Sequence, residues 1–204
     1  MARRTKEEAN ATRENILDAA LIVFSEKGYS HTTFVDIAKH VGMTKGAVYW
    51  HFPTKNDLLA QLLMRGFVQI EELVNESIPG ETTLDNLAAE YAEHARVIIE
   101  NEQFKKLIFF VSLRIEWTEE WIADFDKKIK ELEPWPIEKI GRVLAKAKTQ
   151  GQIKDNVDIH LIEDILNAMF RGLINYHLGG HATTSLPECV KEGFQTVIES
   201  IKVE

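Results

Sequence analysis

One cysteine, five prolines and the absence of any long apolar run set the first limits on this 204-residue chain. With Cys189 alone, neither an intrachain disulfide nor a cysteine-based zinc cage can form, which fits a reducing cytosol. The first residues are charged and carry no apolar core segment, so no signal peptide is expected. No apolar stretch approaches the ~20 residues needed to span a bilayer; segments such as 107–113 are too short or interrupted. A cytoplasmic protein with no membrane partner is therefore expected. Strand signals are almost absent. There is no Gly-rich phosphate loop and no nucleophile elbow, so catalysis finds little support, and no cofactor is expected. His177 and His181 have a metal-like spacing, but Gly179-Gly180 lies between them and breaks a helix, so no metal is assigned. His94 and His160 read as surface residues.

Acidic charge is plentiful, with 32 Asp or Glu against 24 Lys or Arg and a net charge of −8. Its distribution matters more than its total. Residues 1–56 hold eight Lys or Arg and six Asp or Glu, a net +2, so the remainder carries −10. A basic head on an acidic body suits a module that meets phosphates while the body is held away from them.

Helix signals dominate. Ile16, Leu17, Ala20, Val23 and Phe24 mark the inner face of a first helix, opened by Thr5 with Glu8 and closed near Gly28. Thr33 with Asp36 starts a second helix, Thr44 a third, and Thr54 with Asp57 a long fourth. Ile78-Pro79-Gly80 interrupts the pattern and Thr82 with Asp85 restarts it. A sixth helix over 104–115 is apolar on most sides. A seventh runs from Thr118 towards Gly151, interrupted near Pro134-Trp135-Pro136. An eighth follows Asp158 and ends near Gly179-Gly180, and Ser185-Leu186-Pro187-Glu188 opens a ninth. The expectation is an all-α fold of about nine helices. A helix-turn-helix DNA-binding domain occupies 1–54, and a helical ligand-binding and dimerisation domain occupies 55–204.

The chemistry is concentrated in residues 33–55. Phe34, Ile37, Ala38 and Val41 form one helix face; Gly42 permits the positive φ of a sharp stop; Thr44 caps a helix whose first turn is Lys45-Gly46-Ala47. Small and basic residues there allow close approach to DNA, read from the helix N-terminus. Val48 and Phe52 face inward.

This stretch, with Ile16 to Ala20, Phe24, Gly28, Thr32-Thr33, Asp36-Ile37-Ala38, the Tyr49-Trp50-His51-Phe52 run and Lys55 to Leu59, resembles the TetR family of bacterial transcriptional regulators. It is most similar to the multidrug-efflux repressor branch often called AcrR-like. The resemblance is strong over the first third of the chain and weak beyond it. It implies phosphate contacts for Thr33, Tyr49, His51 and Lys55, and a position against the groove for Thr44, Gly46 and Ala47. Lys45 is the base-edge candidate, because an amine reaches guanine O6 and N7. Arg3 and Arg4 form a basic arm suited to phosphate or minor groove. Trp50 reads as core packing.

One recognition helix reads few base pairs, so two related by a twofold axis are expected on a palindromic operator. Leu166 and Leu173 on the eighth helix, with Phe194, Ile198 and Ile201 on the ninth, are the candidates for a homodimer interface. The middle helices are dense in aromatics, including Trp121, Phe125 and Trp135. Leu63, Phe67, Phe104, Phe110, Trp117 and Phe170 are assigned to a site for a hydrophobic small-molecule effector, with Arg114 and Glu116 as its polar handles. Each aromatic taken alone reads better as helical core than as a ligand contact.

The resulting expectation is a ligand-responsive transcriptional repressor, by resemblance controlling a multidrug-efflux operon and released from its operator by a lipophilic compound. Two alternatives stay open. One is a regulator of the same family sensing a metabolite or acyl compound. The other, from a different class, is a helical enzyme carrying a helix-turn-helix, which salt-dependent binding to a palindrome without ligand turnover would separate from a regulator.

Overall fold

The computed structural model describes residues 6–113 and 139–203. Nine helices follow one another among these residues: α1 (Lys6–Lys27), α2 (Phe34–His40), α3 (Lys45–His51), α4 (Lys55–Ser77), α5 (Leu87–Glu100), α6 (Glu102–Leu113), α7 (Lys139–Thr149), α8 (Ile159–Leu178) and α9 (Leu186–Ile201). An isolated antiparallel bridge, Ile153 with Lys202, is the extended pairing. The all-α expectation matches this architecture. The interruption expected at Pro134-Trp135-Pro136 and the start at Thr118 lie outside the described residues.

The chain divides into two compact units. The first contains residues to Phe67 and resumes at Lys106; the second contains Val68–Lys105 and resumes at Pro136. The division therefore falls inside α4 and inside α6.

The first unit is built on apolar faces that the sequence spaces regularly. Ile16, Leu17, Ala20, Val23 and Phe24 of α1 meet Phe34, Ile37 and Ala38 of α2, Val48 of α3, Phe52 and Leu58, Leu59, Leu62 and Leu63 of α4 in one core. Leu107 and Phe110 of α6 complete it, and the Phe110 ring stacks on Phe24 at 5.5 Å. Helix α6 approaches α4 closely at Gly66, where a Cβ would overlap the Leu107 side chain. Ion pairs and a side-chain hydrogen bond fasten α1 to α4 around this core. Arg65 reaches Glu14 at 2.9 Å and Asp18 at 2.8 Å, and Arg13 donates to Gln61.

In the second unit α9 packs against both α5 and α8. Tyr91 of α5 stacks on Phe194 of α9 at 4.8 Å and meets Phe170 of α8 edge-on at 5.1 Å. Helix α8 is capped by Asp158, whose carboxylate accepts from the amides of His160 and Leu161, and α9 opens at Ser185 with Pro187 in its first turn. Two expectations are corrected. Helix α5 starts at Leu87 rather than at Thr82, and Thr83 pairs with Asn86 in the turn before it, the Thr83 amide donating to Asn86 Oδ1 at 2.7 Å. His94 is not a surface residue but 7 % exposed.

Candidate nucleic-acid interface

The two short helices of the head owe their geometry to side-chain caps. Thr33 precedes α2, and Asp36 returns its carboxylate to the Thr33 amide at 2.9 Å while the Asp36 amide donates to Thr33 Oγ1. This reciprocal pair satisfies amides that the first helical turn leaves open. Lys27 adds an ion pair to Asp36 at 2.6 Å. The Lys27 hydrogen bond, with those from Thr33, holds the Asp36 carboxyl well below the usual carboxylate range.

Helix α2 stops at Gly42, whose φ of +67° a residue with a Cβ adopts only at a cost. The Met43 amide donates back to the Ala38 carbonyl at 2.8 Å and the Gly42 amide to Lys39, which closes the turn. Thr44 then caps α3 by accepting from the Ala47 amide at 3.2 Å. The result is a rigid two-helix corner with the first turn of α3 outward.

On α3 the inner face is Val48, fully buried, followed by Phe52, also fully buried. Thr44, Lys45, Gly46 and Tyr49 are exposed together, with Ala47 half-buried. The Lys45 amine lies 5.2 Å from the centre of the Tyr49 ring, and that ring rests edge-on against Phe34 at 4.6 Å. Tyr49 is thus held by the α2 core at its ring. Thr33 is exposed at the start of α2 and His51 is half-buried beside Trp50. Trp50 corrects the expectation of core packing: it is 73 % exposed, because Val48 and Phe52 already fill the inner side of α3. Arg3 and Arg4 lie outside the described residues.

Lys55 sits differently from the other DNA candidates. Its amine donates to the carbonyls of Tyr29 at 2.7 Å and Thr32 at 3.0 Å, with Ser30 at 3.4 Å, and lies 4.4 Å from the centre of the Tyr29 ring. Burial pushes the amine below its ordinary value.

The effector candidates do not gather in one unit. Leu63 and Phe110 are buried in the core of the first unit, with Phe67 packed against it, whereas Phe104 and Phe170 belong to the second. Arg114, Glu116 and Trp117 lie outside the described residues. The interface candidates also need correction. Leu166, Phe194, Ile198 and Ile201 are each no more than 4 % exposed, so they are core of their own chain, and Leu173 is half-buried. The apolar surplus on α9 is absorbed by α5, chiefly through Tyr91. Apolar surface is left open on α8, where Leu161, Ile165 and Tyr176 are 57 %, 41 % and 57 % exposed, and to a lesser extent on α4 at Val68 and Leu73.

One cluster in the second unit escaped the sequence reading. Lys139, at the start of α7, donates to Glu71 at 2.6 Å and Glu90 at 2.5 Å, and His94 Nε2 meets Glu71 at 2.6 Å. His94 Nδ1 faces the Glu90 carbonyl at 2.8 Å. Burial would raise Glu71, but His94 and Lys139 outweigh it and hold the carboxyl at about 2. Burial opposes the charge on Lys139, and the two carboxylates outweigh it, so its amine is raised. Ligand atoms of Glu71, Glu90 and His94 lie within 4.8 Å of one another, a spacing that would suit a cation, and the Lys139 amine bonds both carboxylates. The Glu90–His94 spacing of four, among the apolar residues of the buried face of α5, was the legible signal; nothing local marked Lys139.

Residues 16–62 match the family model of the bacterial regulatory proteins of the tetR family. The HTH-type transcriptional regulator AcrR of Shigella flexneri is 46% identical over 84 residues, 40% of this chain but only 39% of that protein. The HTH-type transcriptional repressor BepR of Brucella suis biovar 1 (strain 1330) is 28% identical over 202 residues, covering 98% of this chain and 96% of that one. Among solved structures, NalD, the secondary repressor of the MexAB-OprM multidrug efflux pump in Pseudomonas aeruginosa, superposes with a TM-score of 0.78 at 25% identity, over 98% of this chain and 100% of that chain. The capped corner and its outward α3 lie within the matched residues, and over that stretch the chain carries the domain of the bacterial regulatory proteins of the tetR family.

Proposed function

We propose that the chain is a ligand-responsive transcriptional repressor that acts in the cytoplasm as a homodimer on a palindromic operator, controls a multidrug-efflux operon, and is released by a lipophilic small molecule. The observation that carries this reading is the outward first turn of α3, with Lys45 and Gly46 exposed beyond a doubly capped corner. The naming of full-length relatives as repressors, one of an efflux pump, supports the regulatory part. No helix among the described residues is long and apolar enough to cross a membrane. In this reading residues 1–54 are the DNA-binding domain. Lys45 reads a base edge, Thr44, Gly46 and Ala47 lie against the groove, and Thr33, Tyr49 and His51 meet phosphates with the arm of Arg3 and Arg4.

Lys45→Ala is expected to weaken operator binding by about 1–3 kcal/mol and to relax preference at one base position. Binding measured across a panel of single-base operator variants tests it. A uniform loss over the whole panel would remove Lys45 from base readout.

The dimer follows from the need for two recognition helices. Leu161, Ile165, Ala168, Gly172 and Tyr176 recur on one exposed face of α8, and a second copy of the same face is proposed to cover it. Ile165→Glu is expected to yield a folded monomer that binds operator weakly, because a charge buried in that seam costs several kcal/mol, on the order of 2–4. A variant still dimeric in sedimentation at micromolar concentration would move the interface away from α8. The effector is assigned to the aromatic body helices, with Phe104 and Phe170 as contacts. Titrating the operator-bound protein with cationic and anionic amphiphiles tests this assignment; compounds that bind without releasing DNA would break the link between effector and repression.

A further inference from the structure

The loop joining α1 to α2 turns several of its carbonyls towards one point. Tyr29, Ser30 and Thr32 all present oxygens to the Lys55 amine, at 2.7, 3.4 and 3.0 Å. An ammonium has three N–H donors, so three carbonyls exhaust it. The Tyr29 ring covers the same amine from 4.4 Å, and the Tyr29 hydroxyl donates to Asn56, the next residue of α4. Thr32 is 2 % exposed and its hydroxyl donates to the Gly28 carbonyl at 2.7 Å. The next residue, Thr33, is the cap of α2. Lys55 therefore fastens the first residue of α4 to the segment from which the helix-turn-helix begins.

We infer that Lys55 is a positioning residue, which holds the 28–33 loop and with it the α2 cap at a fixed place on α4, rather than a phosphate contact. To donate to a phosphate the amine must give up one of these carbonyls, which loosens the tie between the loop and α4. Lys55 contributes to operator binding by fixing where Thr33 and α2 stand, before DNA arrives. The lowered amine of a half-buried lysine agrees with this placement. The inference rests on the DNA-binding reading only for its consequence, since the latch itself is a property of the free protein.

The first test uses the unaltered protein without DNA. Acetylation of lysines, followed by mass spectrometry, is expected to modify Lys55 roughly tenfold more slowly than the exposed Lys45, since the amine reacts only when the loop opens. Equal rates would overturn the inference whether or not the protein binds DNA. The second test is the salt dependence of operator binding for Lys55→Met, which keeps the apolar stem and removes the donors. Affinity is expected to fall at every salt concentration with the slope of log K against log salt preserved. A slope reduced by about one is the signature of a lost phosphate contact and would overturn it.

Discussion

The head and the body carry their charges in different ways. In the head the ion pairs lie at the rim of an apolar core. Arg65 meets Glu14 and Asp18, whose side chains are 48% and 52% exposed, and Lys27 at 49% meets Asp36. In the body, beside exposed pairs such as Lys146 with Glu81, one cluster of charges is inside. Glu90 is 5% exposed in its side chain, His94 9% and Lys139 17%, and together with Glu71 they join α4, α5 and α7. Rim pairs are screened by water and contribute little, whereas a buried pair becomes costly when one partner is lost. The head is therefore held by packing and caps, and the body in part by a clip that must stay charged and complete.

The largest expected effect breaks that clip. Lys139→Ala leaves Glu71 and Glu90 facing each other without their cation, and is expected to destabilise the body by about 3 kcal/mol. Arg65→Ala removes two rim pairs and is expected to cost under about 1 kcal/mol. Denaturant melts of both variants measure the difference. Similar losses for the two would erase the distinction between rim and interior.

A smaller effect follows from acid. The folded value of Glu71, about 2, lies below its ordinary 4.5. A depressed carboxylate contributes its full stability above the unfolded value and loses it as pH falls towards the folded one. The window is therefore about pH 5 down to 2, and the expected loss is on the order of 1–2 kcal/mol after allowance for solvent screening. The raised Lys139 amine acts at the other limit, contributing fully below its ordinary 10.5 and losing its effect as pH rises beyond it. Melting temperatures between pH 5 and 2.5 are expected to fall more steeply for the unaltered protein than for Glu71→Gln. Parallel acid limbs would show that Glu71 does not carry the linkage.

The contrast also explains what was legible in the sequence. Thr33 with Asp36, Thr44, and Thr54 with Asp57 act within three residues, so their pattern is their structure. The stripe of α2 and the stop at Gly42 are local in the same sense. The body is written at longer range. Lys139 meets Glu71 across 68 positions and Glu90 across 49, a pairing no local spacing announces. The apolar period of α9 revealed a buried face but not its neighbour, so Phe194, Ile198 and Ile201 looked available to a second subunit when α5 covers that face. Trp50 misled for a related reason. Its size suggested core, yet Val48 and Phe52 leave it no place there.

The smallest expected effect sharpens the account of the head. Thr44 accepts from the Ala47 amide at 3.2 Å with its backbone extended at φ −80° and ψ 150°, and the open amides of α3 begin at Lys45. Helix α3 has only seven residues, so one cap serves a large share of its exposed donors. Thr44→Ala is expected to cost about 1 kcal/mol of stability, and Thr44→Ser, which keeps the oxygen, a few tenths at most. The same residue is assigned a place against the groove, so the two roles must be separated. If Thr44 acts through its cap, operator affinity falls in Thr44→Ala in step with the loss of stability and returns in Thr44→Ser. If its methyl group touches DNA, Thr44→Ser keeps its melting temperature and still loses affinity. Melting and operator titration on this pair of variants therefore decide whether the first turn of α3 is prepared by its cap or completed by contact with the groove.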